Sequence, residues 1–269
     1  LFESEYFLSF LSVASRSNCK FSGGLLDFEN IVRQKITYGL TRKTFDFNEV
    51  KHYYDKLCSL AEEDKERFVH ACVRYRQAIS IWETEPVVTF FLFVVAVECL
   101  SNSMVLNYSN IAWDVYRSFY GDPNYPRGKM PKAVKFVEFL CKYLPPEALK
   151  NEGDIMKLKM RLLSAYFIRS SFVHDGAELP QPVKLADHLR KKSVVYSLRK
   201  QGKKYEIRAP GICWLESIVN CAFKCFLESE SGKTTPTDIF RDQAKKSGRF
   251  DMKRRKDAPP IEKWQAIDD

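Results

Sequence analysis

Arg169 and His174 stand five positions apart near the end of a helical stretch, and a guanidinium beside an imidazole suits phosphate chemistry. An imidazole that exchanges protons near neutral pH can serve a ribose 2′-hydroxyl or a leaving oxygen, while a fixed cation offsets charge developing on phosphorus. Such a centre needs no metal, the sequence offers no carboxylate and histidine cluster to hold one, and no cofactor is expected. The apolar positions Ile155, Leu158, Leu162 and Ala165 step by three and four, and the same seam continues through Arg169 to Phe172. A guanidinium on a buried seam is costly unless it has a partner or lines a wet pocket. Glu98, the one carboxylate in an otherwise apolar segment, is the expected partner that orients it. His174 falls at the helix C-terminus, where unsatisfied carbonyls and the adjacent Asp175 favour the imidazolium.

Spacing constrains how the pair can work. Five residues at 100° each leave Arg169 and His174 about 140° apart around an ideal helix. Either the last turn departs from α geometry, or two copies of the helix pool their pairs across a symmetric dimer. The dimer is the expectation.

The elements that must position these groups are legible as helices. Glu3 to Ala14 and Phe47 to Leu60 have helical composition, with a polar helical segment from Asp27 to about Tyr38 between them after the Ser22-Gly23-Gly24 break. Phe68, Cys72, Tyr75, Ile79 and Trp82 define a long amphipathic helix from Ala61. Thr84-Glu85-Pro86 then caps and opens a second helix through Val87, Phe91, Val94, Val95 and Leu100 that is apolar nearly all round, as befits the centre of a bundle. A short helix around Trp113 to Tyr120 and one from Pro131 to about Tyr143 precede the motif helix, Asp154 to His174, which Gly176 and Pro180 end. Ser193 to Leu198 and Lys204 to Arg208 alternate around Gly202 as a basic β-hairpin, read as an insertion. A last helix runs from Cys213 to about Leu227, and the polar, basic chain beyond Ser229 is expected to be a peripheral tail.

A formal charge of +9 on 269 residues suits a polyanionic partner, since lysines and arginines that neutralise phosphates release counterions. Lys191 and Lys192, with Lys200, Lys203 and Lys204, are the candidate phosphate-contacting group, and RNA is the expected partner. The eight cysteines, Cys19, Cys58, Cys72, Cys99, Cys141, Cys213, Cys221 and Cys225, include no CxxC pair. They read as free thiols in a reducing cytoplasm, and Cys221 with Cys225, on one helix face, as core packing. The longest apolar stretch, Val87 to Leu100, is too short for the roughly 20 residues that span a bilayer, so no membrane role is expected. The first residues lack the basic region and cleavage site of a secretory signal. Glu230-Ser231-Gly232-Lys233-Thr234 imitates a phosphate-binding loop, but Leu227 occupies the place of its first Gly and a helix precedes it instead of a strand.

The segment Tyr166-Phe167-Ile168-Arg169-Ser170-Ser171-Phe172-Val173-His174-Asp175-Gly176 resembles the R-x4-6-H signature of HEPN domains, in particular the Apea-like branch, where Gly closely follows the motif. Arg74-Tyr75 and Ala96-Val97-Glu98-Cys99-Leu100 resemble that branch's preceding helix pair. The resemblance covers roughly Arg67 to Gly176. It implies an all-helical bundle, dimerisation through the motif helix, and metal-independent ribonuclease activity used in defence or RNA processing, with Arg169 and His174 catalytic. Glu98, Ser170 and Asp175 are the expected orienting residues; Ser170 replaces the Asn or Asp that many members carry there. Gly176 replaces the Tyr of the toxins paired with minimal nucleotidyltransferases.

The resulting expectation is a mainly α, HEPN-like helical bundle over 61–229, with a hairpin insertion at about 193–208, an N-terminal helical extension over 1–60 and a basic tail over 230–269. The expected activity is cleavage of RNA by 2′-hydroxyl attack to a cyclic phosphate, by a homodimer that a regulatory or antitoxin partner restrains. A non-catalytic RNA-binding or dimerisation module of the same fold is the alternative.

Overall fold

The computed structural model describes residues 4–16, 47–106, 111, 113–120, 131–146, 148–149, 154–174, 181–182, 191–200 and 203–229. The expected helix at 27–38, Asp175, Gly202 and the tail from 230 onward lie outside them. Among the described residues the protein is mainly helical: α1 (Ser4–Ala14), α2 (Phe47–Ser59), α3 (Glu62–Ile81), α4 (Pro86–Ser101), α5 (Trp113–Tyr120), α6 (Lys132–Tyr143), α7 (Ile155–His174), β1 (Gln181–Pro182), β2 (Ser193–Lys200), β3 (Lys203–Pro210) and α8 (Ile212–Ser229). None of these helices is long and apolar enough to cross a membrane.

The described residues form two compact units, one from 1–100 with 219–233 and one from 101–218. The 61–229 range is therefore shared between them. In the first unit, α3 begins on Glu62, Glu63 and Asp64, carboxylates that suit the positive end of the helix dipole. Its seam of Phe68, Cys72 and Tyr75 is fully buried. Helix α4 starts where the Glu85 carbonyl accepts the Thr89 amide at 2.9 Å, with Pro86 at the first helical position, where a missing N–H costs nothing. Phe90, Phe93, Val94, Ala96 and Val97 bury its faces.

Helix α1 packs along α3 and buries Phe10, Leu11 and Val13. Its buried Ser9 and Ser12 return their hydroxyl protons to the carbonyls of Glu5 and Leu8, which lets polar side chains enter the core. The later turns of α8 complete this unit. The Asn220 amide donates to the Val13 carbonyl at 2.7 Å and to the Tyr75 hydroxyl at 3.1 Å, tying α8 to α1 and α3.

The second unit is built around α7. Asp154 caps it by accepting the Met156 amide at 2.8 Å, and Leu158, Leu162, Leu163, Ala165 and Ile168 are buried against α5, α6 and β3. Helix α6 stops at Leu144, whose extended backbone suits the residue before a proline. The strands form an antiparallel sheet in the order β1-β2-β3, with Tyr196 opposite Ile207 and Lys200 opposite Lys203. Val194, Tyr196, Ile207 and Ala209 are buried, following the period-2 alternation, and the Tyr196 hydroxyl donates to the Pro210 carbonyl at 3.1 Å. The hairpin expected as an insertion is a wall of this unit, because β3 packs on α7.

Candidate functional site

Helix α7 is regular α-helix through His174, so the first of the two alternatives, a last turn that departs from α geometry, does not occur. Arg169 is half-buried, and its Nε is screened from solvent by the surrounding chain. Ser170 and Phe172 are half-buried and Ser171 is buried, while His174 is exposed. Val173 beside it is 52% exposed, one of two large apolar side chains so placed among the described residues. Within one chain the two Cα atoms are then about 9 Å apart along a regular helix, with side chains leaving it in directions about 140° apart.

The expected orienting residues fall in different parts of the chain's organisation. Glu98 is buried, at 7% exposure, and belongs to the first unit, whereas Arg169 belongs to the second. Glu98 acts on its neighbour: burial pushes the Cys99 thiol up, Arg74 opposes this, and the Glu98 carboxylate adds to it. Asp175 lies outside the described residues.

The five lysines fall at the two ends of the hairpin. Lys191 and Lys192 are exposed at the start of β2, where the Lys192 carbonyl accepts the Gly211 amide at 3.2 Å. Lys200, Lys203 and Lys204 sit at the other end of the hairpin, Lys200 paired with Lys203 and Arg199 with Lys204. A strand of this length separates the two groups by roughly 25 Å.

Sequence reasoning missed a buried ion pair of the second unit. Lys159, on α7, is only 8% exposed and donates to Glu138 Oε1 at 2.6 Å. The Tyr116 hydroxyl donates to the same oxygen at 2.5 Å, so one carboxylate joins α5, α6 and α7. Burial works against the Lys159 ammonium, but Cys141 and the Glu138 carboxylate outweigh it and hold the lysine above its ordinary range. Burial also pushes the adjacent Cys141 thiol up to about 12, with Lys159 opposing and Glu138 reinforcing, so the sulfur stays protonated. The signal for Lys159 was a second seam, Ile155, Lys159, Leu162, Tyr166, which the same three-and-four spacing allows. On the other flank of α7, the Arg161 guanidinium lies 4.9 Å from the Trp214 ring centre, a contact that fixes α7 against the start of α8.

Among the described residues no group of three or more His, Cys, Asp or Glu side chains is arranged to hold a metal ion. Comparison with known protein families, with curated proteins and with solved structures finds no match to this chain.

Proposed function

We propose that the C-terminal end of α7 is a HEPN-type ribonuclease centre that cleaves RNA without a metal ion, with Arg169 and His174 as its catalytic residues. The observation that carries this reading is the graded exposure along one regular helix: Arg169 half-buried with its Nε enclosed, His174 in solvent one turn later. An arginine so held offers a fixed charge to a phosphate, and an exposed imidazole is open to exchange protons. The 2′-hydroxyl attacks the neighbouring phosphorus, the bond to the 5′-oxygen breaks, and the products end in a 2′,3′-cyclic phosphate and a 5′-hydroxyl. His174 takes the proton from the attacking hydroxyl or returns one to the leaving oxygen, and Arg169 stabilises the charge on the non-bridging oxygens.

Because the helix stays regular, one chain turns the two side chains away from each other, and a second copy of α7 supplies the complement. The apolar Val173 beside His174 suits such a homodimer contact. A cytoplasmic setting, use in defence and restraint by a regulatory or antitoxin partner belong to the same reading. The exposed Lys191 and Lys192 favour a second one, a non-catalytic RNA-binding module.

Incubation of the purified protein with single-stranded and structured RNA in EDTA separates the two. Cleavage to cyclic-phosphate ends, lost in both Arg169→Ala and His174→Ala, supports the enzyme. Binding without cleavage by the wild type rejects it and leaves the module.

A further inference from the structure

Strand β3 is an edge of the antiparallel sheet: the order is β1-β2-β3, and among the described residues no strand pairs with its far side. One hydrogen bond fixes which of its residues face that edge. The Gly211 amide, directly after β3, donates to the Lys192 carbonyl at 3.2 Å, so odd-numbered positions turn their backbone groups toward β2 and even-numbered ones turn theirs away. Pro210, which has no N–H to give, has the outward parity, where the ladder loses nothing. Its carbonyl already accepts the Tyr196 hydroxyl at 3.1 Å. The open stretch is therefore centred on the N–H and C=O groups of Glu206 and Arg208.

The side chains alternate with the same period. Ile207 and Ala209 are buried, whereas Glu206 and Arg208 belong to the other face and are exposed. Neither makes an ion pair among the described residues, although they carry opposite charges two positions apart. Charges on an edge strand ordinarily keep other strands away. Here the change of sign makes the edge complementary to itself. In an antiparallel pairing about a two-fold axis at Ile207, Glu206 stands opposite Arg208 of a second copy, and Arg208 opposite its Glu206, each as a hydrogen-bonded pair. An axis at Glu206 would set like charges opposite one another. An axis at position 205 joins position 204 to Glu206, but it overlaps only 203–207 of the strand instead of 204–210.

We infer that β3 is a self-association edge: two copies of the chain join antiparallel through it, with Glu206 and Arg208 exchanging backbone hydrogen bonds and ion pairs across a two-fold axis at Ile207. The two sheets become one, and since α7 packs on β3, both copies of α7 lie on the same face of it. The inference rests on the proposed function in one respect, that it names where the second copy called for there is joined. Ile207 and Ala209 are already enclosed within one copy, so apolar burial is not the driving force. A short ladder with two exposed ion pairs makes an association that depends on concentration and weakens with salt.

Sedimentation velocity of the full chain over a concentration series reads the association, and amide hydrogen exchange reads the edge. The wild type is expected to pass from monomer to dimer as concentration rises, with the amides of Glu206 and Arg208 gaining protection in step. Glu206→Arg and Arg208→Glu each set like charges opposite and are expected to weaken association roughly tenfold or more. An equimolar mixture of the two variants restores both opposite-charge pairs in the mixed dimer and recovers association, as does one chain carrying both changes. Both positions are exposed, so neither change touches the core. A wild type that stays monomeric, a dimer indifferent to either reversal, or a mixture that associates no better than its components each overturns the inference. A dimer indifferent to the reversals leaves the nuclease reading standing, whereas a dimer that obeys them but cleaves no RNA rejects the nuclease and keeps the edge.

Discussion

Lys159 and Arg169 are two cations on the packed side of one helix, and their surroundings differ. Lys159 is enclosed among α5, α6 and α7 and shares the Glu138 carboxylate with Tyr116. Arg169 sits ten residues later, half-buried where α7 runs out toward its exposed His174. A buried cation with a dedicated carboxylate contributes specificity of packing and has no charge to offer a ligand. The proposed function gives the partly enclosed cation at the end of the packed region the other task, meeting a phosphate.

The comparison breaks or holds on activity first. Arg169→Ala is expected to lower RNA cleavage by roughly 10²–10⁴-fold with little change in Tm, as is His174→Ala, measured by single-turnover cleavage alongside thermal unfolding. An Arg169 variant that instead unfolds would make the two cations alike. The converse holds for Lys159→Met, which strands the Glu138 carboxylate and is expected to cost about 3–5 kcal/mol in urea unfolding. Replacing the whole node, Tyr116→Phe with Glu138→Leu and Lys159→Met, is expected to recover most of that loss, since a well-packed apolar substitute is often neutral.

The division between an enclosed and an exposed end also predicts complementation. Mixing the inactive Arg169→Ala and His174→Ala proteins should return about a quarter of wild-type activity, because half of randomly assorted dimers hold one intact composite site out of two. No recovery would place both catalytic groups in one chain and sink the dimer.

The smallest effect tests the contrast between units. Cys221 is lowered to about 7 in the folded protein against an ordinary value of 9.0. Between those values the unfolded chain binds more protons, so stability rises with pH from about 7 to 9 and the contribution is lost as pH falls through 7. The buried, raised Cys141 acts in the opposite sense above pH 9, since the folded state then refuses an ionisation that the unfolded chain accepts. Cys221→Ser is expected to flatten the rise in Tm between pH 7 and 9 relative to wild type. An unchanged slope would show that this thiol titrates alike in both states.

How far these features could be read in advance depended on whether their causes were local. The Asp154 cap, Pro86 at the first position of α4 and the stop before Pro145 each follow from one or two residues' backbone preferences. The burial of Glu98 followed from the apolar run around it. The enclosure of Lys159 did not, because its partners lie 21 and 43 residues away in sequence, on helices whose facing sides no spacing rule selects. Cys221 and Cys225 read as core packing because spacing puts both on one helix face but says nothing of how the two thiols interact, which is what lowers Cys221, with Lys224 and Arg16 adding to it.

Periodicity, caps and breakers by themselves determined that this chain is mainly helical, where its long helices begin and end, and that Arg169 shares a seam with leucines. Tertiary structure alone decided that β3 walls α7, that α1 enters the core of the first unit, that the lysines fall at the two ends of the hairpin and that Lys159 pairs with Glu138. The physical reason is that helix formation is governed by contacts three and four residues apart, whereas burial and charge pairing depend on which faces meet.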